Sequence, residues 1–338
     1  MPKKLLWALV LLFSAAVLFA TGEQEETGMW KPSKPVTIIV PWGAGGSTDQ
    51  VTRVVAGELE DALGQKIVIV NQPGASGSVG TKGALDAAHD GYTWAAGAAA
   101  DLGAYKVLGL LGTTWDDWVL FLDVANVSVV SVNANEPYKD FGELLKAWKD
   151  KPGQIPVATA GQLSAGHNAM TAIQKYTGIQ YKHVTYDGGN PAVIATVAGE
   201  TVATPQLAVE QADMLAGKKL RALAVLDNKP LELKGYGTIP PITNWIPEFQ
   251  PAPNYFGIWV PKDAPKEVIE TFGKLWDTVI KDSQALRDYA AARGAVFDPS
   301  WGEAGIKKAM PYLSIIAWNY VDVGKAVMSP AEIGIPKP

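Results

Sequence analysis

Four stretches of small residues carry the chemistry open to this sequence, each where an apolar strand-like run gives way to helical spacing. The first is Pro41-Trp42-Gly43-Ala44-Gly45-Gly46-Ser47-Thr48-Asp49. Its glycines let the backbone turn tightly and come close to a ligand, and Ser47, Thr48 or Asp49 would cap the helix that follows. Unpaired N–H groups at a helix start hold an anion without any charged side chain. The stretch Gly161-Gln162-Leu163-Ser164-Ala165-Gly166-His167-Asn168 offers Ser164 and its neighbouring amides in the same way, with His167 at the helix start. A third, Asn71-Gln72-Pro73-Gly74-Ala75-Ser76-Gly77-Ser78, either lines a cleft or only reverses the chain. In the fourth, Tyr186-Asp187-Gly188-Gly189-Asn190-Pro191, Asp187 can accept from a ligand hydroxyl or amine, or close an Asx-turn on its own backbone. On composition alone the first loop reads equally well as a capped turn with no ligand. Trp42, inside that loop, would wall a ligand.

Amide-based binding matters because guanidinium groups are scarce. Arginine occurs only at Arg53, Arg221, Arg287 and Arg293, and the net charge is −5. No Lys/Arg cluster suits a nucleic acid. The third glycine of a dinucleotide fingerprint would fall at Thr48, and no Lys-Ser/Thr pair follows the glycines as in a P-loop. Ser47, Ser76, Ser78 and Ser164 all miss the spacing of a nucleophile elbow. With no cysteine and three dispersed histidines, His89, His167 and His183, neither zinc nor another cofactor is expected. A Ser164/His167 pair at i and i+3 rarely aims a base at a nucleophile, so a hydrolase is the lesser alternative and the chain is not expected to be an enzyme. Most of the 12 tryptophans, such as Trp148, Trp276 and Trp318, sit at helical spacing and read as core.

The elements that must position these loops follow from periodicity. Lys3 and Lys4 precede the apolar run 5–17, and 18–20 lead into a polar stretch, the layout of a secretory signal over 1–20. The run is shorter than the ~20 residues a spanning helix needs, which leaves an uncleaved anchor as the alternative. Residues 21–33 read as a tether. Strands are expected at 34–40, 67–70, 92–96, 127–132, 155–159, 182–186, 201–206, 220–226 and 255–260. Helices are expected at 49–63, 81–88, 138–149, 167–176, 192–199, 265–280, 283–294 and 302–323. Strands alternating with helices define an α/β architecture. The proline-rich stretch 230–253 looks like a connection between lobes. The division is 34–131 plus 251–338 as one lobe, with 132–250 inserted as the other. Ligands of open α/β sheets sit outside the carboxyl ends of strands, so two facing lobes make one cleft that can close on a hinge.

These stretches, in order, resemble the Bug-type receptors of tripartite tricarboxylate transporters. KPVTIIVPWGAGGSTDQVTRVVAGELEDALGQKIVIVNQPGASGSVG is similar to the family's opening strand, P-F-x-x-G-G-x-x-D loop, helix, strand and N-x-P-G-A-x-G loop. DGYTW, ATAGQLSAGHNA, HVTYDGGNPAVIATVAGE, LRALAV and FGIWVPKDAP resemble later family segments, so the likeness spans roughly 34–301. It implies a two-lobed periplasmic-binding-protein (Venus flytrap) fold, each lobe a mixed sheet flanked by helices. It implies capture of a small carboxylate by backbone amides at helix N-termini, and a membrane permease as partner. A monomeric periplasmic transport receptor is expected, with a sensory binding protein as the alternative. The candidate binding residues are Trp42, Ala44, Gly45, Gly46, Ser47, Thr48, Asp49, Ala98, Gly161, Ser164, Ala165, Gly166, His167, Asp187 and Gly188. Trp42 stands where the family usually has Phe, alanines at 98–100 replace small hydroxyl residues, and 113–126 departs from the usual pattern. These departures point toward a less polar or aromatic acid.

Overall fold

A computed structural model describes residues 29–338. The proposed signal and most of the tether lie outside them. Of the tether's described part, the Trp30 amide donates to Thr271 Oγ1 at 2.7 Å. No helix among the described residues is long and apolar enough to cross a membrane.

Strand β1 (Val36–Val40) reads VTIIV, and Val36, Ile38, Ile39 and Val40 are all buried, as a strand covered on both faces requires. Helix α1 (Ser47–Leu63) buries Val51, Val55, Ala56 and Leu59 at helical spacing and stops at left-handed Gly64. β2 (Ile67–Asn71) and β3 (Thr93–Ala98) flank β1 in parallel, with α2 (Ser78–Leu85) between them in sequence and α3 (Ala99–Ala104) following β3. A long strand β4 (Trp118–Asn126) then runs to the crossing point at Val127 and Ser128.

The second sheet begins at β5 (Val129–Asn133). It continues through α4 (Phe141–Asp150), β6 (Pro156–Thr159), α5 (Ala165–Thr177), β7 (Lys182–Thr185), α6 (Gly189–Ala198), β8 (Ala203–Thr204), α7 (Ala208–Ala216) and β9 (Leu220–Val225). Its strand order is β7-β6-β8-β5-β9. β5 hydrogen-bonds to β8 and β9, so residues 129–131 belong to this sheet, and the crossing falls before them rather than after 131. The return segment is more than a connection. It holds a hairpin of β10 (Leu231–Leu233) and β11 (Gly237–Ile239) and a short 3-10 turn, Ile242–Asn244.

β12 (Asn254–Pro261) re-enters the first sheet between β3 and β4, antiparallel to both. Helices α8 (Lys266–Leu275) and α9 (Gln284–Arg293), strand β13 (Val296–Trp301) and helix α10 (Gly302–Asp322) complete it, in the order β13-β4-β12-β3-β1-β2. Both sheets are therefore mixed, and the second is built wholly from residues between β4 and β12. Two strands escape a reading by pattern. β4 (WVLFLDVAN) is apolar apart from Asp123 and Asn126 and shows no alternation, and periodicity cannot separate such a run from a buried helix. β13 is an edge strand whose register breaks between Phe297 and Ser300, around Pro299.

Each lobe has a core, and Leu207 and Val209 of the second lobe pack against that of the first. Trp94 meets Phe272 edge-on at 4.2 Å, with Phe121 and Trp276 beside them, and the second lobe packs Phe141, Trp148 and Ile173. Trp318 differs from the other helical tryptophans. It is half-buried and donates to the Pro336 carbonyl at 2.9 Å.

Candidate functional site

The first turns of α1, α5 and α6 face one another across the cleft, around a cavity of about 30 Å³. That holds on the order of one water molecule. The lobes touch above it: a Cβ on Gly43 would lie 2.5 Å from the Asp187 carbonyl oxygen, so only glycine permits this approach. Of the expected residues, Trp42, Gly46, Ser47, Thr48, Ala98, Ser164 and Ala165 line the cavity. Ala44, Gly45, Asp49, Gly161, Gly166, His167, Asp187 and Gly188 stand behind or beside it.

The residues set back have other partners. Asp49 accepts from the Gly45 amide at 2.9 Å, from Arg53 at 2.8 and 3.0 Å and from Asn71 at 3.0 Å, which ties the first loop to α1 and β2. Burial pushes its carboxyl upward, but these donors outweigh burial and leave it below its ordinary value. The His167 ring lies 3.2 Å from the hydroxyl of Tyr320 on α10, in the opposite lobe. Burial, reinforced by His183, pushes its pKa down to about 3, so it is neutral in the folded protein. The Ser164 hydroxyl donates to the Gly161 carbonyl at 2.7 Å and caps α5 by accepting from the His167 amide at 3.2 Å. Hydroxyl and imidazole therefore do not form the pair that nucleophilic chemistry needs.

The α5 loop is braced from the first lobe. Leu163 sits at φ 67°, a left-handed conformation that costs a branched side chain energy. Its amide donates to the Tyr320 hydroxyl at 3.1 Å, and its carbonyl accepts from Asn168 at 2.8 Å. Tyr320 in turn donates to Asn168 Oδ1 at 2.8 Å. These bonds leave the first-turn amides of Ala165 and Gly166 without an acceptor among the described residues.

Reading the sequence alone missed Asp101, Gln206, Glu210 and Asn254, all of which line the cavity. Glu210, on α7 of the second lobe, reaches across the cleft. Its Oε1 accepts from the Ser47 amide at 3.0 Å, and its Oε2 accepts from its own helix start at Leu207, 3.2 Å away. A Cβ on Gly189 would fall 2.1 Å from that Oε1, so glycine at the start of α6 makes room for the carboxylate. With its amide turned toward Glu210, Gln206 donates to Oε2 at 3.2 Å and accepts from the Ala160 amide at 3.0 Å. Burial raises the Glu210 carboxyl despite these donors. Part of the anion position expected at the first loop is thus filled by the protein's own acid. A signal for Asp101 was present: it is a lone acid within the small-residue run at 98–104. Nothing local marks Glu210, whose partner lies 163 residues away.

No lysine or arginine lines the cavity. Among the described residues no cluster of His, Cys, Asp or Glu suits a metal ion. A wider groove of about 920 Å³ lies on the outer face of the first lobe, between α10 and residues 336–338, and no glycine-loop residue lines it.

Two mixed α/β sheets joined by crossing segments, with glycine-rich helix starts meeting at the cleft, define a periplasmic-binding-protein fold. Solved structures agree. One described as a periplasmic transporter is 26% identical, with a TM-score of 0.75, covering 88% of this chain and 99% of that one. The periplasmic binding protein BugD is 23% identical, with a TM-score of 0.78 and coverage of 87% and 99%. The model of the tripartite tricarboxylate transporter family receptor matches residues 51–292. The UPF0065 protein of the tcbD-tcbE intergenic region of Pseudomonas sp. (strain P51) is 30% identical over 71% of each chain. Protein BugT of Bordetella pertussis is 28% identical over 86% of this chain and 88% of its own. The chain belongs to the tripartite tricarboxylate transporter receptor family, as a solute-binding receptor of the Bug type.

Proposed function

We propose that this receptor is exported to the periplasm and captures a small carboxylate in the interlobe cleft. It then presents the closed, loaded form, as a monomer, to a membrane permease. The lobes would divide at 127–128 and in the return segment 226–253, and would swing apart there to admit ligand. The observation that carries the reading is the convergence of helix starts on a cavity lined by no cationic side chain. A carboxylate there would be held by the open amides of Ala165 and Gly166, beside Ser164 and Thr48. Closure excludes water and strengthens these bonds. Two structures of the same fold were solved with acids: R. palustris Rpa4515 with adipate, and MatC of Rhodopseudomonas palustris with malate. Their sequence identity to this chain is 22%, so they support the ligand class only by analogy of fold.

A thermal-shift screen of the purified protein against mono-, di- and tricarboxylates, aromatic acids, amino acids and sugars tests the reading. A ligand at ~100 times its Kd adds about 2.7 kcal/mol of stability. A hit among acids is expected. Hits confined to sugars or other neutral compounds would sink the carboxylate reading.

A further inference from the structure

Two buried acceptor oxygens at the cavity have no partner. Asp101 is 4% exposed, and its Oδ2 carries no hydrogen bond. Asn254 is also 4% exposed, and its Oδ1 carries none. Both residues line the cavity between the lobes, and the second acid there, Glu210, is already satisfied by the Ser47 and Leu207 amides. A buried acceptor left unpaired is costly, and here both belong to residues that line the space ligand would enter. The Trp42 indole and the Ala98 amide lie close enough to favour the ionised Asp101 carboxyl, but burial outweighs them and no donor reaches Oδ2. A carboxyl arranged this way can serve as the counter-ion of a cation, and Asn254 adds a second acceptor. An ammonium group carries three N–H donors and a positive charge, enough for both oxygens. A second or third carboxylate offers Asn254 Oδ1 no donor, can bond Asp101 only through that residue's own proton, and meets two protein acids with no basic residue to offset them.

We infer that Asp101, with Asn254, is the specificity-determining pair of this receptor and receives a protonated amino group, so that the preferred ligand is an amino acid rather than a polycarboxylate. The inference rests on the carboxylate reading, since the ligand's acid group would still lie on the α5 amides. Burial pushes the Asp101 carboxyl up to about 8, so it is largely protonated at neutral pH before ligand arrives. An arriving ammonium would ionise it and release a proton. Tyr105, Tyr312 and Tyr320 feel the charge of Asp101, and Glu210 lies across the same cavity. The three tyrosines are raised by burial and stay neutral in this range, so the released proton traces to the acids.

Calorimetry with two matched trios tests this: L-alanine, L-lactate and propionate, then L-aspartate, L-malate and succinate. Within at least one trio the amino acid should bind about tenfold or more tighter than the unsubstituted acid. Its binding at pH 7 should release protons, read from the heat in buffers of different ionisation enthalpy. Asp101→Asn should cut the amino preference to within about threefold and abolish proton release, while an unchanged circular-dichroism spectrum and a cooperative melt show that the variant folds. Asp101→Ser is the second variant and should behave alike. Equal binding of the amino acid and the unsubstituted acid in every trio that binds overturns the assignment, as does proton uptake or an amino preference that survives both substitutions. If unsubstituted acids bind and amino acids do not, the Asp101 role fails while the carboxylate reading stands. If none of the six binds, the Asp101 role falls, and the carboxylate reading is decided by the wider screen.

Discussion

The two glycine-rich helix starts look alike in sequence and behave differently in the fold. At α1 the acid of the motif, Asp49, turns back to hold its own loop, and Glu210 from the facing lobe takes the Ser47 amide. At α5 the cap is local, through Ser164, and the Ala165 and Gly166 amides stay open. The groups behind them differ too. α1 faces the buried acids Asp101 and Glu210, both raised, whereas α5 backs onto the neutral imidazole of His167. An anion site is therefore a property of the whole neighbourhood of a helix start, and an internal carboxylate can occupy it first.

This contrast is most exposed to pH, where the largest effect is expected. The native state holds a proton on Asp101 that the unfolded chain has lost. Its stabilising contribution is full below pH 3.8 and disappears as pH rises through about 8. His167 has the opposite sign. The native ring lacks a proton that the unfolded chain takes up below pH 6.5, so stability is lost as pH falls toward about 3. Denaturation midpoints measured from pH 4 to pH 9 should show Asp101→Asn gaining on the parent as pH rises, and His167→Asn gaining as pH falls. Parallel curves for parent and variants would remove the distinction.

Glu210→Ala should come next. It strips the acceptor from the buried Ser47 and Leu207 amides, and urea unfolding should show a loss of about 2 kcal/mol. Glu210→Gln keeps an acceptor and should lose less. If Glu210→Ala is neutral, the carboxylate is not filling an anion site at α1. Ser164→Ala removes the α5 cap and should cost about 1 kcal/mol of stability while weakening any bound acid. Unchanged affinity in that variant would move the ligand away from α5. The smallest effect belongs to Arg53→Ala, below about 0.5 kcal/mol, because its side chain is 54% exposed and water screens the pair with Asp49.

Much of the fold was legible in the chain. The run VTIIV, the helical spacing of Val51, Val55 and Leu59, and the stop at Gly64 depend only on neighbours in sequence, so β1, α1 and their loop could be read directly. The Ser164 cap follows from the same local rule. By contrast β4 was hidden because burial on both faces erases the period-2 alternation, and β13 because Pro299 sits at a bulge that only its pairing with β4 makes tolerable.

The site divides along the same line. Sequence by itself determined which backbone turns would expose amides, since glycine conformation and capping are short-range. Tertiary structure alone decided which amides stay open and which acids face them. The Ser47–Glu210 bond joins residues 163 positions apart, and Leu163 and Tyr320 meet across 157. Pairings at that range are fixed by how two lobes close on each other. No local pattern encodes that closure, because its energy comes from surfaces that do not exist until both lobes have folded.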